Sequence, residues 1–337
     1  WRINGKGCFF KQRYVIGFAT EREKINSECR KNRDTSPCKI LGAGACRVTI
    51  TQGNETRKIV FSGDVGRWDM PILQDPSPVG PADYLLVEST YGNRLHGQTS
   101  DIPGELAEII NSTTEAGGNI VIPSFAVERT QELLYFLALL SSENKIPNLR
   151  IFVDSPMAAK VSTVFVHHPY LFDSDTIKLA RVLRVSNVTT VRSSRESKAI
   201  NHIRGSVIII SGSGMCTGGR IKHHLTHNIG RKESTVLFVG YQAANTLGRE
   251  ILEGAEKVRI LGEEYEVNAR IAKINGFSAH ADQKELLRWM DMIEGTPKKV
   301  FVTHGEPDGA NALRDIIEEH KGWNAHVAQY QEVVELD

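Results

Sequence analysis

The sequence contains few cysteines, and they show no pairing pattern. Its five cysteines are scattered and none belongs to a CxxC pair. The sequence therefore predicts neither a disulfide framework nor a zinc knuckle, and it favours a reducing cytoplasmic environment. No apolar run reaches membrane-spanning length, so no membrane partner is expected. The apolar stretch near the N-terminus is interrupted by Lys11, Gln12 and Arg13, unlike a signal peptide.

The chain also lacks an excess of either charge. It has 41 Lys and Arg against 40 Asp and Glu, so no global basic surface points to nucleic acid. A local basic groove is still compatible with this balance. With 337 residues, 40% hydrophobic and 24% charged, the composition is typical of a globular protein with two domains. The sequence contains no internal repeat and no low-complexity linker.

Strand and helix patterns alternate along most of the chain. Residues 1–37 are polar, with mixed charge and without sustained periodicity, so we expect a poorly determined segment there, or one whose natural context is missing. Arg47–Gln52 and Arg57–Ser62 predict a hairpin around Gly53-Asn54. Further strands are predicted at residues 84–87, 119–122, 150–153, 206–210, 234–240 and 299–303, and helices at residues 104–114, 128–140, 156–166, 219–227, 283–293 and 307–318. This alternation predicts an α/β fold with a largely parallel sheet.

Three predicted strands end in polar side chains, at the edge where open α/β folds place ligands. Asp64 follows an apolar strand between Gly63 and Gly66, which permit a sharp turn. His304 leaves the strand in KVFVTHGEP in the same way, and Glu88 ends the strand in LLVESTYGNR. Aspartate and neutral histidine are zinc ligands, and a buried carboxylate commonly orients a histidine. Each residue alone also fits a structural role, such as a turn or cap.

The segment INGFSAHADQKEL places Ser278, His280 and Asp282 immediately before a predicted helix. Histidine titrates near neutral pH, which makes His280 a candidate proton donor. In the structural alternative, Ser278 or Asp282 caps the helix and His280 is an incidental neighbour.

A glycine-rich segment, IIISGSGMCTGGRIKHHLTH, leads from a strand into a basic helix. Successive backbone amides and a helix N-terminus favour a bound phosphate, whereas the alternative is a tight strand-to-helix turn. Neither a GxGxxG fingerprint nor a Walker loop is present. His223, His224 and His227 lack the glutamate of a metal-binding HExxH helix, so we expect them at the surface. The candidate phosphate-binding residues are Ser211, Gly212, Ser213, Gly214, Thr217, Gly218, Gly219, Arg220 and Lys222.

Seven ordered segments together resemble the β-CASP branch of the metallo-β-lactamase superfamily: FSGDVGR, ESTYGNR, PSFAVERTQELLYFL, DSPMA, GSGMCTGGR, FSAHAD and THGEP. That branch includes the endonuclease of mRNA 3′-end cleavage and prokaryotic RNA exo- and endonucleases. The resemblance covers the chain from about Ile40 to its C-terminus. It implies an α/β fold in which a split metallo-β-lactamase (αββα) domain is interrupted by an inserted α/β β-CASP domain.

The resemblance also implies roles for individual residues. Asp64 corresponds to the metal-bridging aspartate and His304 to a late metal-ligand histidine of a two-zinc centre, which binds water for attack on phosphorus. His280 corresponds to a histidine that assists protonation of the leaving group, and Glu88 to the acidic residue that supports it. Ser278 lies where contact with a phosphate is expected.

The front part of the sequence departs from the family pattern. The HxHxDH signature, which supplies most metal ligands, is absent upstream of Asp64. Lys39 occupies the position of a ligand histidine, and Glu128 stands where a glycine is usual. Asp64 and His304 are then the remaining ligands, fewer than a zinc site needs. Two explanations stay open: a missing or altered front half, which the character of residues 1–37 favours, or a complete chain that has lost catalysis.

The predicted organisation divides the chain into three segments. Residues 1–91 form the first part of the metallo-β-lactamase domain, residues 92–267 the β-CASP domain, and residues 268–337 the C-terminal part, with RNA in the cleft between the domains. The implied function is zinc-dependent hydrolysis of RNA phosphodiester bonds, endonucleolytic or 5′–3′ exonucleolytic, with two zinc ions and impaired activity in this chain.

Two alternatives to this function remain. One is a non-catalytic RNA-binding or partner-binding subunit, and the other is a metallo-hydrolase of another ester or thioester. The expected partners are single-stranded RNA and either a second copy of the chain, forming a homodimer, or a catalytically active homologue.

Overall fold

The computed structural model describes residues 2–8, 11–17, 25–26, 44–52, 54–70, 72, 74–96, 101–167 and 187–337. By its internal contacts the chain divides into two compact units. Unit 1 comprises Trp1–Met70, Gln74–Leu95 and His280–Asp337, and unit 2 comprises Pro71–Leu73 and His96–Ala279. The domain boundaries placed after residues 91 and 267 stay predictions.

Strands and helices alternate through most of the described chain. The strands are β1 (Arg2–Cys8), β2 (Lys11–Gly17), β3 (Ile25–Asn26), β4 (Cys46–Gln52), β5 (Glu55–Phe61), β6 (Tyr84–Glu88), β7 (Ile120–Pro123), β8 (Arg150–Asp154), β9 (Val188–Thr190), β10 (Val207–Ser211), β11 (Thr235–Phe238), β12 (Lys257–Ile260), β13 (Glu263–Glu266), β14 (Arg270–Lys273), β15 (Lys299–Thr303), β16 (Ala325–Val327) and β17 (Val333–Glu335). The helices are α1 (Ile102–Glu115), α2 (Arg129–Ser142), α3 (Pro156–His167), α4 (Ser194–Ile200), α5 (Ile221–Asn228), α6 (Leu247–Leu252), α7 (Gln283–Asp291) and α8 (Pro307–Lys321). Within these described ranges, none of the helices is both long and apolar enough to cross a bilayer.

Unit 1 is built on a six-stranded sheet with the strand order β16-β15-β6-β5-β4-β3. β4 and β5 form the predicted antiparallel hairpin, in which Gln52 lies opposite Glu55. β5, β6, β15 and β16 run parallel to one another. Because β5, β6 and β15 are parallel neighbours, the residues that follow them lie at one edge of the sheet.

Helix α7 of unit 1 begins with a capping box. The Glu285 amide donates to Asp282 Oδ1 at 2.8 Å, and the Asp282 amide donates to Glu285 Oε2 at 3.0 Å. Two of the amides that a helix N-terminus leaves unpaired are thereby satisfied. The structural alternative for Asp282, as the cap of this helix, is confirmed.

The N-terminal segment contains strands that the sequence did not predict. β1 and β2 pair as an antiparallel hairpin, and β1 also pairs with β17. The sequence pattern of residues 1–37 gave no sign of these three strands. Strand formation depends on distant pairing partners more than on local periodicity. Lys39 lies outside the described residues.

Unit 2 is built on a parallel sheet with the strand order β14-β11-β7-β10-β8-β9, which confirms the predicted α/β class. The central strand β10 is buried along its whole length. Ile208 and Ile210 pack into one core with α1 and α2, whereas Val207 and Ile209 pack into a second core with α5 and α6. Alternate side chains of a strand point to opposite faces, so a sheet covered on both faces needs an uninterrupted apolar strand.

Candidate active site and glycine loop

Polar side chains from separate segments meet at the carboxyl edge of the unit 1 sheet. Asp64 follows β5, Glu88 is the last residue of β6, and His304 follows β15. The parallel order of these strands brings residues that are far apart in sequence to one edge. His280 arrives from another segment and pairs with Gly66 in an isolated antiparallel bridge.

Glu88 and His280 form a hydrogen-bonded pair. His280 Nδ1 lies 3.0 Å from Glu88 Oε2 and 3.1 Å from Oε1. The Glu88 side chain is only 1% exposed, and its Oε1 also accepts the Val65 amide at 2.5 Å. A carboxylate bonded to Nδ1 fixes the orientation of the imidazole and makes Nε2 the nitrogen that exchanges a proton with a substrate.

Asp64 and His304 form a second pair. His304 Nδ1 lies 3.2 Å from Asp64 Oδ1. Burial opposes ionisation of Asp64, but the hydrogen bond from His304 and the charges of His280 and His304 outweigh it, so the pKa of Asp64 is lowered. The hydrogen bond to Asp64 raises the pKa of His304 although burial acts in the opposite direction. A metal ion at this pair would therefore compete with a proton for His304.

The backbone around His304 is held in an uncommon conformation. Its φ is 52°, a left-handed value that non-glycine residues rarely adopt. The His304 carbonyl accepts the Ser89 amide at 3.3 Å and the Thr90 hydroxyl at 3.2 Å. A Cβ on Gly305 would lie 2.5 Å from the Ser89 carbonyl oxygen, so only glycine fits there. The loops after β6 and β15 are thus locked together and hold the His304 side chain at the site.

The two pairs form one cluster. The ring centroids of His280 and His304 are 6.0 Å apart. Ligand-type atoms of Asp64, Glu88 and His280 all lie within 4.8 Å of one another. The structure therefore brings these four residues together, and their catalytic and metal-binding roles stay predictions.

The described residues supply only part of a metal site. Glu88 already accepts hydrogen bonds from the Val65 amide and from His280, which fits the predicted role of an orienting group. Asp64 and His304 then supply two ligands, whereas zinc sites use three or four protein ligands or keep one position for water. These two residues do not fit a stable zinc site by themselves, and we derive no chemical step through a metal.

Ser278 belongs to unit 2, at the end of the 3₁₀ turn Asn275–Phe277. Phe277 is fully buried and meets Phe136 edge to face, with ring centroids 5.6 Å apart. This packing anchors the turn that carries Ser278. Its contact with a phosphate stays a prediction.

A second candidate site is the loop of residues 211–219, the glycine loop, which connects β10 to α5. The Ser213 amide donates to the Gly218 carbonyl at 3.2 Å, and the Gly218 amide donates to Ser213 Oγ at 3.3 Å. Gly219 has a φ of +76°, and a Cβ there would lie 2.3 Å from the Gly212 carbonyl oxygen. The loop is therefore a compact turn that requires glycine at position 219.

Several backbone amides of the glycine loop have no protein acceptor among the described residues, although that of Gly214 belongs to a residue buried against Phe125. Within the described part of the chain, the backbone N–H groups of Gly214, Met215, Thr217 and Gly219 have no protein acceptor. The hydroxyls of Ser213 and Thr217 lie 3.2 Å apart in an exposed position. Successive amides of this kind are typical of anion-binding loops, so the geometry is compatible with a bound phosphate as well as with a simple tight turn.

Two of the predicted phosphate-binding side chains are engaged elsewhere. Ser211 is fully buried, and its hydroxyl donates to the Asp154 carbonyl at 2.9 Å. Arg220 Nη1 donates to Asp154 Oδ1 at 2.6 Å, and Nη2 donates to the Arg192 carbonyl at 3.2 Å. Burial removes the Ser211 hydroxyl from the phosphate-binding set. The buried carboxylate of Asp154 attracts the Arg220 guanidinium inward, and contact of Arg220 with a phosphate stays a prediction. Lys222 is half-buried and stays in that set.

The sequence prediction missed the buried polar cluster around Asp154. Its side chain is 0% exposed, accepts the Ser197 hydroxyl at 2.5 Å and lies 2.7 Å from His224 Nε2. His224 is buried as well, contrary to the surface position expected for it. Burial opposes ionisation, but hydrogen bonds from His224, Ser197 and Arg220 together lower the pKa of Asp154. The sequence did contain a signal for Asp154, because it is a carboxylate at the end of an apolar strand. The same signal identified Glu88 as a candidate.

Two stretches of the chain match known domain families. Residues 130–251 match the Beta-Casp domain. Residues 264–328 match the Zn-dependent metallo-hydrolase RNA specificity domain.

Curated proteins are similar over most of this chain. A ribonuclease of Thermus thermophilus is 38% identical over 272 residues, which is 80% of this chain and 62% of the relative. An RNase J-like protein of Methanocaldococcus jannaschii is 30% identical over 270 residues, which is 79% of this chain and 62% of the relative. The transcription termination factor FttA of the same archaeon is 27% identical over 297 residues, 82% of this chain and 45% of the relative. The chain thus spans at most 62% of the length of these relatives.

Proposed function

Because the chain belongs to the β-CASP family of metallo-β-lactamase-fold proteins, we propose that it binds single-stranded RNA and hydrolyses RNA phosphodiester bonds. The observation that carries this proposal is the cluster of Asp64, Glu88, His280 and His304 at the carboxyl edge of the unit 1 sheet. The relatives named ribonuclease and RNase J-like support RNA as the substrate.

In this proposal His280 supplies the acid of the reaction. With Nδ1 bonded to Glu88, Nε2 donates its proton to the oxygen that leaves phosphorus as the P–O bond breaks. The oxygen of the attacking water forms the new bond to phosphorus, and the proton that this water loses passes to the surrounding solvent. The Glu88 carboxylate holds the ring in place and stabilises its protonated form.

Zinc is the metal named in the description of the matched RNA specificity domain, and two zinc ions are proposed for the complete centre. Asp64 and His304 are the proposed ligands. We predict that the purified chain retains less than one zinc ion after dialysis, because two ligands hold zinc weakly. Elemental analysis measures the content, and an Asp64→Ala variant gives the background. Two ions retained per chain would contradict this and would mean that residues outside the described ranges complete the site.

The glycine loop is the proposed phosphate-binding element of unit 2. Backbone amides bind an anion without a metal, so RNA binding should persist in a chelator and weaken with rising salt. We expect Lys222→Ala to lower affinity for all RNA sequences alike, and to reduce the slope of log affinity against log salt by about one. Fluorescence anisotropy at several salt concentrations measures both.

The matched control for that substitution is Lys257→Ala. Lys257 lies in the β12–β13 hairpin of unit 2 and pairs with Glu264 at 3.1 Å. The control should bind RNA as the parent does. Equal affinity and equal salt dependence in Lys222→Ala and the parent would remove Lys222 from the RNA-binding surface.

A second function is favoured by the incomplete ligand set: a non-catalytic RNA-binding subunit that pairs with a second copy of the chain or with an active homologue. A cleavage assay on labelled single-stranded RNA with added zinc separates the two functions. Strand cleavage that depends on His280 supports hydrolysis. RNA binding without cleavage supports the non-catalytic subunit.

A further inference from the structure

Exposed apolar side chains cluster at the carboxyl edge of the unit 2 sheet. Phe125 and Val127 are each 37% exposed, and Met157 is 66% exposed. Phe125 and Val127 follow β7, and Met157 follows β8. β7 and β8 flank β10 in the parallel sheet, so these side chains emerge on either side of the strand that leads into the glycine loop.

Phe125 is held against the backbone of two loops. A Cβ on Gly214 would lie 2.7 Å from Phe125 Cδ2, and a Cβ on Gly240 would lie 3.1 Å from Cε2. Any larger residue at position 214 would displace the ring, so the glycine allows the ring to rest on the loop. The Phe125 carbonyl accepts the Thr130 hydroxyl at 2.8 Å, and the Ser124 amide donates to the Ser211 carbonyl at 2.9 Å. The ring thus lies against two glycines, and its backbone is hydrogen-bonded to the start of α2 and, through Ser124, to the end of β10.

The Phe125 ring rests on glycine and is still 37% exposed, so part of its apolar surface faces water. Removing apolar surface from water is stabilising, and the exposed part of the Phe125 ring lacks that stabilisation. Single-stranded RNA is commonly bound by such rings, because every base offers an apolar face that stacks on an aromatic side chain. A ring already packed against the loop on one side loses less conformational entropy than a free side chain when a base covers it.

The chemistry beside the ring matches the other half of a nucleotide. Gly214, against which Phe125 rests, belongs to the glycine loop, whose amides at Met215, Thr217 and Gly219 have no protein acceptor in the described chain. An apolar ring and a set of amide donors therefore lie together. The ring fits a base, and the amides fit the adjoining phosphate.

We propose that Phe125 is a base-stacking residue, which binds one unpaired base of single-stranded RNA whose phosphate contacts the glycine loop. This inference rests on the proposed RNA binding and adds the position of a base. It also implies a preference for single strands, because bases within a duplex are already stacked on each other.

The test compares the parent chain with Phe125→Ala, Phe125→Leu and Phe125→Trp by fluorescence anisotropy on a labelled single-stranded RNA of about ten nucleotides. Alanine and leucine should each weaken binding by about tenfold, and tryptophan should retain it. Leucine keeps an apolar side chain against Gly214 and Gly240, so its loss of affinity reports stacking rather than collapse of the loop. Leu261→Ala, which removes a side chain 53% exposed in the β12–β13 turn of unit 2, is the matched control and should bind as the parent does.

An abasic oligonucleotide of the same length distinguishes a base contact from support of the loop. The parent and Phe125→Ala should bind it equally, because it offers phosphates without bases. The inference is overturned if Phe125→Leu binds RNA as tightly as the parent, or if Phe125→Ala weakens binding of the abasic strand as much as that of RNA. If RNA bases are bound only at other residues, Phe125→Leu will bind RNA as tightly as the parent does. If the parent binds no RNA at all, the proposed function itself is overturned.

Discussion

Substitution of His280 by alanine should lower the rate of RNA cleavage by about 10²–10⁴-fold, the usual contribution of a general acid. RNA affinity should change little, because the imidazole acts on the leaving oxygen rather than on the bound strand. The measurement is single-turnover cleavage of labelled single-stranded RNA in the presence of added zinc. Glu88→Gln should lower the rate by about tenfold to a hundredfold, because the amide retains a hydrogen bond to Nδ1 but not the charge that stabilises the protonated ring.

Unit 1 offers a matched control for this substitution. His326 Nε2 lies 2.7 Å from Glu332 Oε1, a second histidine–carboxylate pair on the parallel strand β16 and the turn that follows it. His326→Ala removes the same imidazole group from a pair that is not part of the candidate active site. This variant should cleave RNA at the parent rate. Equal cleavage by His280→Ala and the parent would exclude His280 as the acid and leave it a structural neighbour of Glu88.

Asp154→Asn should lower the free energy of unfolding by about 3 kcal/mol or more. The carboxylate is fully buried and binds Arg220, His224 and Ser197, so its neutral replacement leaves the guanidinium without its charge partner. Chemical denaturation of the parent and the variant measures the difference. Glu253→Gln is the control from the same unit. It breaks an exposed ion pair with Arg249, in which the Glu253 side chain is 62% exposed, and should cost less than about 1 kcal/mol.

The pH dependence of the same variant provides an independent check. The pKa of Asp154 is lowered in the folded chain, so its pairing contributes stability above the ordinary carboxyl pKa of about 3.9. That contribution is lost as the pH falls through the lower folded value. The difference in unfolding free energy between parent and Asp154→Asn should therefore stay nearly constant above about pH 5 and shrink below about pH 4. A difference that does not shrink in acid would show that shape, not charge, is what Asp154 contributes.

The main elements of the fold follow from local periodicity. Apolar runs such as Val207–Ile210 predict strands buried on both faces, and their alternation with amphipathic helices predicts a parallel sheet. In a parallel sheet the strand ends lie at one edge, so the sequence alone indicates that Asp64, Glu88 and His304 belong to one set. Seven ordered motifs additionally identified the family.

Local periodicity does not reveal which partner a polar side chain finds. Arg220 looked available to a phosphate because the residues adjacent to it in sequence are glycine and a basic helix, yet the carboxylate of Asp154, 66 residues away, binds it at 2.6 Å. His224 was predicted at the surface from its basic sequence neighbours, but it lies on the buried face of helix α5.

The sequence by itself determined the class of fold, the order along the chain of the strands that end in polar residues, and the residue types available for acid and ligand chemistry. The family resemblance already implied that Glu88 supports His280, a contact that spans 192 residues in the fold. Tertiary structure alone decided that Asp64 binds His304 and that Gly214 supports the ring of Phe125. The physical reason is the range of the forces involved. Periodicity reports which side of an element excludes water, whereas a hydrogen bond or a close backbone approach depends on ångström-scale distances that exist only after distant segments have packed.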